Sequence, residues 1–185
     1  MLPRKISKTT KMFLTALCLF SLVFASLGTM VRAAETGTVT ATVTAQNISV
    51  TITTGGTVAF TTVNVNDTKD TTTGAKGVND TETAENNGNV SEDFNIKAED
   101  STGDTGWTLA DAAGSEIFTM KSCIATCDAT PTWAVVGIDP SYVTLASGIA
   151  ALGTQDFDLQ VGTPITTADY SQQTITVTIQ AAEAA

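Results

Sequence analysis

From Thr38 the chain alternates with period two: Val39, Ala41, Val43 and Ala45 fall on one face and threonines fill the other. At Gln46-Asn47 the phase slips, and Ile48, Val50 and Ile52 carry the apolar face onward. Alternation built on β-branched residues predicts a half-buried strand, and the slip predicts a bulge or a switch between sheets. Gly55-Gly56 reads as a turn and 58–65 as a second strand. Phe94, Ile96 and Ala98 alternate with Asn95 and Lys97, which places the lysine on a wet face. Short strands are predicted over 107–110, 116–120, 133–136, 142–145 and around Phe157, Leu159 and Val161. The clearest is Thr174-Ile175-Thr176-Val177-Thr178-Ile179, and 147–152 could hold a helical turn.

About nine short strands, punctuated by Gly, Asp and Pro with no helices between them, predict an all-β fold: an antiparallel, immunoglobulin-like β-sandwich. One stretch departs from the pattern. Residues 66–89 are rich in Thr, Asn and Asp and nearly free of large apolar side chains, so a polar acidic loop is expected, ending in a short strand and an Asn-Gly turn.

The first 33 residues read differently. Met1 to Lys11 holds four basic residues and no acidic one, 12–31 is an apolar run, and Val31-Arg32-Ala33 offers small residues for cleavage. That order predicts a secretory signal peptide over 1–33. It leaves 34–185 as one domain working outside the cytoplasm, secreted or at the cell surface. The alternative is an uncleaved anchor, since twenty apolar residues can span a bilayer. A membrane is a partner only in that case. Cys18 follows Leu17, where a lipidation site would need a small residue. No sortase-type tail follows Ile179, so covalent wall anchoring by that route is not expected.

Charge narrows the partners. Residues 34–185 hold nineteen acidic side chains against four basic ones, a net charge of −15. Such a surface repels nucleic acid and anionic lipid and suits a cation or a neutral or basic partner. There is no histidine, which removes Ser-His-Asp and Cys-His catalysis and His-ligated zinc. No placement for a facing pair of catalytic carboxylates is legible, so an enzyme is not expected.

Outside the signal only Cys123 and Cys127 remain. Two cysteines four apart in an oxidising compartment most simply form a local disulfide. A redox pair or metal site is the alternative, but the spacing is not the usual redox one and two thiols alone make a poor zinc site. Trp107 and Trp133 are read first as packing residues, and exposed they could stack on a sugar ring or a partner. Among the acidic clusters Asp100, Asp104, Asp156 and Asp158 are candidate calcium ligands, though none has an ordered calcium-loop spacing. Four Asn-x-Ser/Thr sequons, at Asn47, Asn66, Asn79 and Asn89, matter only in a host that glycosylates. An isopeptide bond at Lys97 is discounted because the alternation puts its amine in solvent.

Glu99-Asp100-Ser101-Thr102-Gly103-Asp104-Thr105-Gly106-Trp107-Thr108-Leu109 resembles the first motif of WxL-domain proteins, secreted surface proteins of Gram-positive bacteria that attach non-covalently to the cell wall. In that family a Tyr followed by a second Trp-x-Leu closes the domain. Here Tyr170 and 174–179 occupy that place, with Val177-Thr178-Ile179 where Trp-x-Leu is expected. The resemblance spans 95–181 and implies a surface protein with Trp107 and Leu109 at the wall contact. A signal peptide before a Thr-rich sandwich is also similar in architecture to TasA/camelysin-like filament subunits.

These readings converge on a non-enzymatic structural or adhesive module that associates with envelope components or with itself. The motivation is two flat, sparsely charged strands, 38–52 and 174–179, whose edges could pair with another chain. The alternative is a carbohydrate- or calcium-binding surface module, with Trp107 or Trp133 as platform. No cofactor is required by either reading.

Overall fold

The computed structural model describes residues 37–185, so the expected signal peptide lies outside the described residues. The chain divides into two units, Met1–Val43 and Thr44–Ala185. Of the first, residues 37–43 are described, and they are exposed and hold no strand.

The second unit is all-β. Eleven strands form two sheets with a shared core, and no helix occurs among the described residues. In the larger sheet the order runs β1 (Val50–Ile52), β3 (Glu82–Asn86), β10 (Thr154–Gly162), β6 (Ile117–Cys123), β5 (Thr108–Leu109). β2 (Thr68–Asp70) joins β10 and β7 (Ala134–Val135) joins β6. The smaller sheet is built on β4 (Glu92–Ala98), flanked by β11 (Val177–Glu183) on one side and by β8 (Gly137–Ile138) and β9 (Val143–Ile149) on the other.

Period-two patterning explains the centre of each sheet. In β4 burial alternates strictly, with Phe94, Ile96 and Ala98 inward and Asn95 and Lys97 outward. Phe157, Leu159 and Val161 of β10 and Phe118 and Met120 of β6 meet them from the other sheet. Aromatic residues are few, so aliphatic side chains and alanines fill the rest of the core.

The structure corrects several expectations. Most pairs are antiparallel, but β8 runs parallel to β4 and β5 parallel to β6. The region 66–89 is not simply a solvated loop. It supplies β2, which was not expected, and β3, the short strand expected before the Asn-Gly turn, laid end to end along one edge of β10. Its buried members are polar as well as apolar: Thr71 donates to Asp158 at 2.7 Å and accepts from the Leu159 amide at 2.9 Å. No strand forms over 58–65, because Thr61 adopts φ +56°, which breaks an extended run. Residues 38–45 also form no strand despite their alternation, since a strand needs a partner edge. The helical turn expected over 147–152 is instead the end of β9, with Gly148 at φ +70° and Leu152 at φ +62° closing the bend.

Cys123 and Cys127 form a disulfide, with Cα atoms 5.9 Å apart, that closes the turn leaving β6. Both sulfurs are buried. The closed loop is short, so converting both cysteines to serine should cost roughly 2 kcal/mol. A fall in Tm of roughly 4–8 °C, read by calorimetry, is expected.

Candidate interaction surface

The Trp107 turn is assembled by carboxylates that cap backbone amides. Ser101 and Trp107 close a loop: the Ser101 amide donates to the Trp107 carbonyl at 2.9 Å and the Trp107 amide to Ser101 Oγ at 2.7 Å. Gly106 sits at φ +73°, and a Cβ there would lie 2.6 Å from the Ser101 carbonyl, so only glycine fits. Asp100 accepts the Leu109 amide at 2.7 Å. Buried Asp169 accepts the amides of Thr105 at 2.9 Å, Gly106 at 3.1 Å and Ser171 at 2.8 Å, and the Gln173 side chain at 2.8 Å.

Hydrogen bonds from the Ser171 side chain first, then from the Thr105 and Ser171 amides, hold the Asp169 carboxyl well below its ordinary value of 3.8, against the opposing effect of desolvation. A depressed carboxylate stabilises the fold above its unfolded value and loses that contribution as pH falls through the folded one. The stability gap between wild type and Asp169→Asn should therefore narrow from about pH 5 to about pH 2, measured by urea unfolding with tryptophan fluorescence.

Within this turn Trp107 packs half-buried on the core. Its ring centroid lies 6.4 Å from that of Phe118, and its indole N–H donates to Thr167 Oγ1 at 3.1 Å. Leu109 is 3% exposed. A wall or ligand contact through Leu109 gives way to packing, because its side chain is already spent on the core. Trp133 is half-buried, just before β7. The two tryptophans flank strands that pair with opposite halves of β6, so they do not form one platform.

Three of the four candidate calcium ligands have their carboxylates engaged within the fold. Asp156 accepts Thr83 Oγ1 at 2.7 Å. Buried Asp158 accepts Thr71 Oγ1 at 2.7 Å and Thr81 Oγ1 at 2.9 Å. Asp100 caps Leu109, and Asp104 is exposed with its amide donated to Ser171 Oγ at 3.0 Å. Among the described residues no three acidic or cysteine side chains are grouped to hold a metal. Lys97 lies on the outer face of β4 as the alternation predicted, but its side chain is 14% exposed rather than free in solvent. It pairs with Asp139 and sits 5.1 Å from the centroid of the Tyr142 ring. Asp139 holds its amine above the ordinary value, as a charged ammonium.

The feature most suited to a partner is backbone. β11 pairs with β4 along all seven of its residues. The Glu99 amide bonds the Thr176 carbonyl and the Ala184 amide bonds the Ser91 carbonyl. This phase turns the amides and carbonyls of Thr178, Gln180 and Ala182 toward β4 and those of Val177, Ile179 and Ala181 outward. Among the described residues the outward groups have no backbone partner. The edge carries no proline or bulge, and its single charge is Glu183. By contrast, β9 is broken by two register shifts and Gly148, and β1 is only three residues long. Such irregularity and shortness protect an edge, and β11 has neither.

The sequence pointed to this edge through 174–179 but placed it too early. The Ala-Ala-Glu that completes β11 lacks the β-branched signal. Asp169, Asn86 and Glu92, whose buried carboxylate accepts the Ser49 amide at 2.8 Å, were missed because polar residues alone do not announce their burial. No protein-family model, curated protein or solved structure matches the chain.

Proposed function

We propose that the protein is a non-enzymatic structural or adhesive module, exported to the cell surface, that joins envelope components or copies of itself through the edges of an immunoglobulin-like sandwich. The observation that carries this reading is the seven-residue outer edge of β11, which has no proline, no bulge and no charge but Glu183, itself bonded by Gln46 at 2.8 Å. Main-chain pairing along such an edge supplies affinity, and the side chains that alternate above and below it supply selectivity. The apolar leader over 12–31 and the absence of histidine support the same reading. The acidic exterior favours neutral or basic partners over nucleic acid and anionic lipid.

The test has two arms. The exported protein is mixed with isolated envelopes of its host and sedimented, and it is separately concentrated alone. Co-sedimentation, or growth in mass with concentration, is expected. A monomer at high concentration that also stays in the envelope supernatant ends the reading.

A further inference from the structure

We infer that the end of the sandwich where β3 turns into β4 binds a calcium ion, held by Glu92 and Glu183 together with the oxygens of Asn86 and Asn47. This goes beyond the surface-module reading and does not depend on it. Glu92 opens β4 and points inward, on the same face as Phe94 and Ile96. It is 0% exposed. Its Oε1 accepts the Ser49 amide, while Oε2 is buried with no hydrogen-bond partner among the described residues. Its register partner on β11 is Glu183, so the two side chains leave the sheet on one face with Cβ atoms about 5 Å apart. Glu183 is exposed and forms the rim of the site on the solvent side.

Like charges set opposite each other repel, and a carboxylate withdrawn from water is costly unless its charge is met. No lysine meets these two. The ion pairs among the described residues are Lys76–Asp67 and Lys97–Asp139. A cation from solution would answer both the facing charges and the unbonded oxygen.

Neutral oxygens converge on the same place. A Cβ on Gly88 would run into Glu92 Oε1, the Asn47 carbonyl oxygen and, at 3.0 Å, Asn86 Oδ1. Three chain segments thus bring oxygens around one point, and glycine at 88 leaves it open. Asn86 Oδ1 accepts the Gly88 amide and keeps a second lone pair. Two carboxylates and two carbonyl oxygens, with water completing the shell, suit calcium. That ion takes about six to eight oxygens in a flexible arrangement, whereas magnesium demands a near-ideal octahedron. The ion would tie β3 and the chain entering β1, in the larger sheet, to β4 and β11 in the smaller. So few charged ligands place the dissociation constant at about 0.1–1 mM, the range of extracellular modules.

The experiment is thermal unfolding of the exported protein, stripped with EDTA and titrated with calcium, beside sodium chloride at matched ionic strength. At about ten times the dissociation constant, calcium should raise Tm by about 4 °C beyond the sodium control. Hydrogen exchange at the Ser49 amide should slow. Glu92→Gln keeps the shape and an oxygen for Ser49 but removes the charge. It should lose the calcium response and, in EDTA, melt no lower than wild type. Glu183→Gln should raise the calcium needed by about tenfold. Asp111→Asn, an exposed acid outside the site, should respond like wild type.

Three results would overturn the inference. A rise that sodium matches is screening of the acidic body alone. A response that survives in both glutamine variants places the ion elsewhere. A wild type indifferent to calcium leaves Glu92 a buried acid without a ligand. Should Glu92→Gln fail to fold, Glu183→Gln at the exposed rim decides between these outcomes.

Discussion

Phe94→Ala is expected to destabilise the sandwich by about 3–5 kcal/mol, enough to populate unfolded chains at moderate temperature. The ring is 0% exposed at the middle of β4, the strand on which the smaller sheet is built. Its register partners are Ala181 on β11 and Ala146 on β9. Both are too small to swing into the space the ring would leave. A hole that cannot collapse keeps its full cavity cost, which puts the loss at the upper end of the range. Urea unfolding should show a lower midpoint with the slope unchanged, the mark of lost stability without a change in compactness. A loss below about 1.5 kcal/mol would mean that β4 is not the centre of the core.

Asn86→Ala should come next, at about 3 kcal/mol, although no apolar surface of note is removed. The side chain is 0% exposed and every bond it makes is to backbone. Its amide nitrogen donates to the carbonyls of Val90 and Ile149, each at 2.8 Å, and its oxygen accepts the Gly88 amide at 2.8 Å. One side chain thus ties β3 of the larger sheet to the end of β9 in the smaller. Truncation strands one buried and two partly buried backbone groups, each costing about 1 kcal/mol. Hydrogen exchange at the Gly88 amide should accelerate in the variant. Asn86→Asp should be at least as damaging, because a carboxylate cannot donate to the two carbonyls. A variant that melts like wild type would show that water replaces the amide without loss.

These two positions mark where the fold was legible and where it was not. Phe94 could be placed inward from the alternation of five residues, because an apolar side chain on a period of two has one sensible destination. Asn86 could not, since asparagine in a Thr/Asn/Asp-rich stretch reads as a solvated turn. The same ambiguity hid β2 and the buried Thr71, whereas β3 is the short strand expected before the Asn-Gly turn. Thr71 is held by hydrogen bonds to Asp158 and Leu159, 87 and 88 residues away, and local pattern carries no information about such partners. The segment 38–45 erred in the opposite direction. Its alternation predicts a strand and none forms, because propensity does not supply a neighbour. At the candidate surface, Trp107 and Leu109 could be picked out by type. That Leu109 is packed away, and that the outer edge of β11 is the bare surface, followed only from register.

The strict alternation of β4 also makes its alignment all-or-none. A slip of one residue against β11 or β9 would turn Phe94, Ile96 and Ala98 to the outer face and bring Asn95 and Lys97 into the core, so the two sheets accept a single alignment.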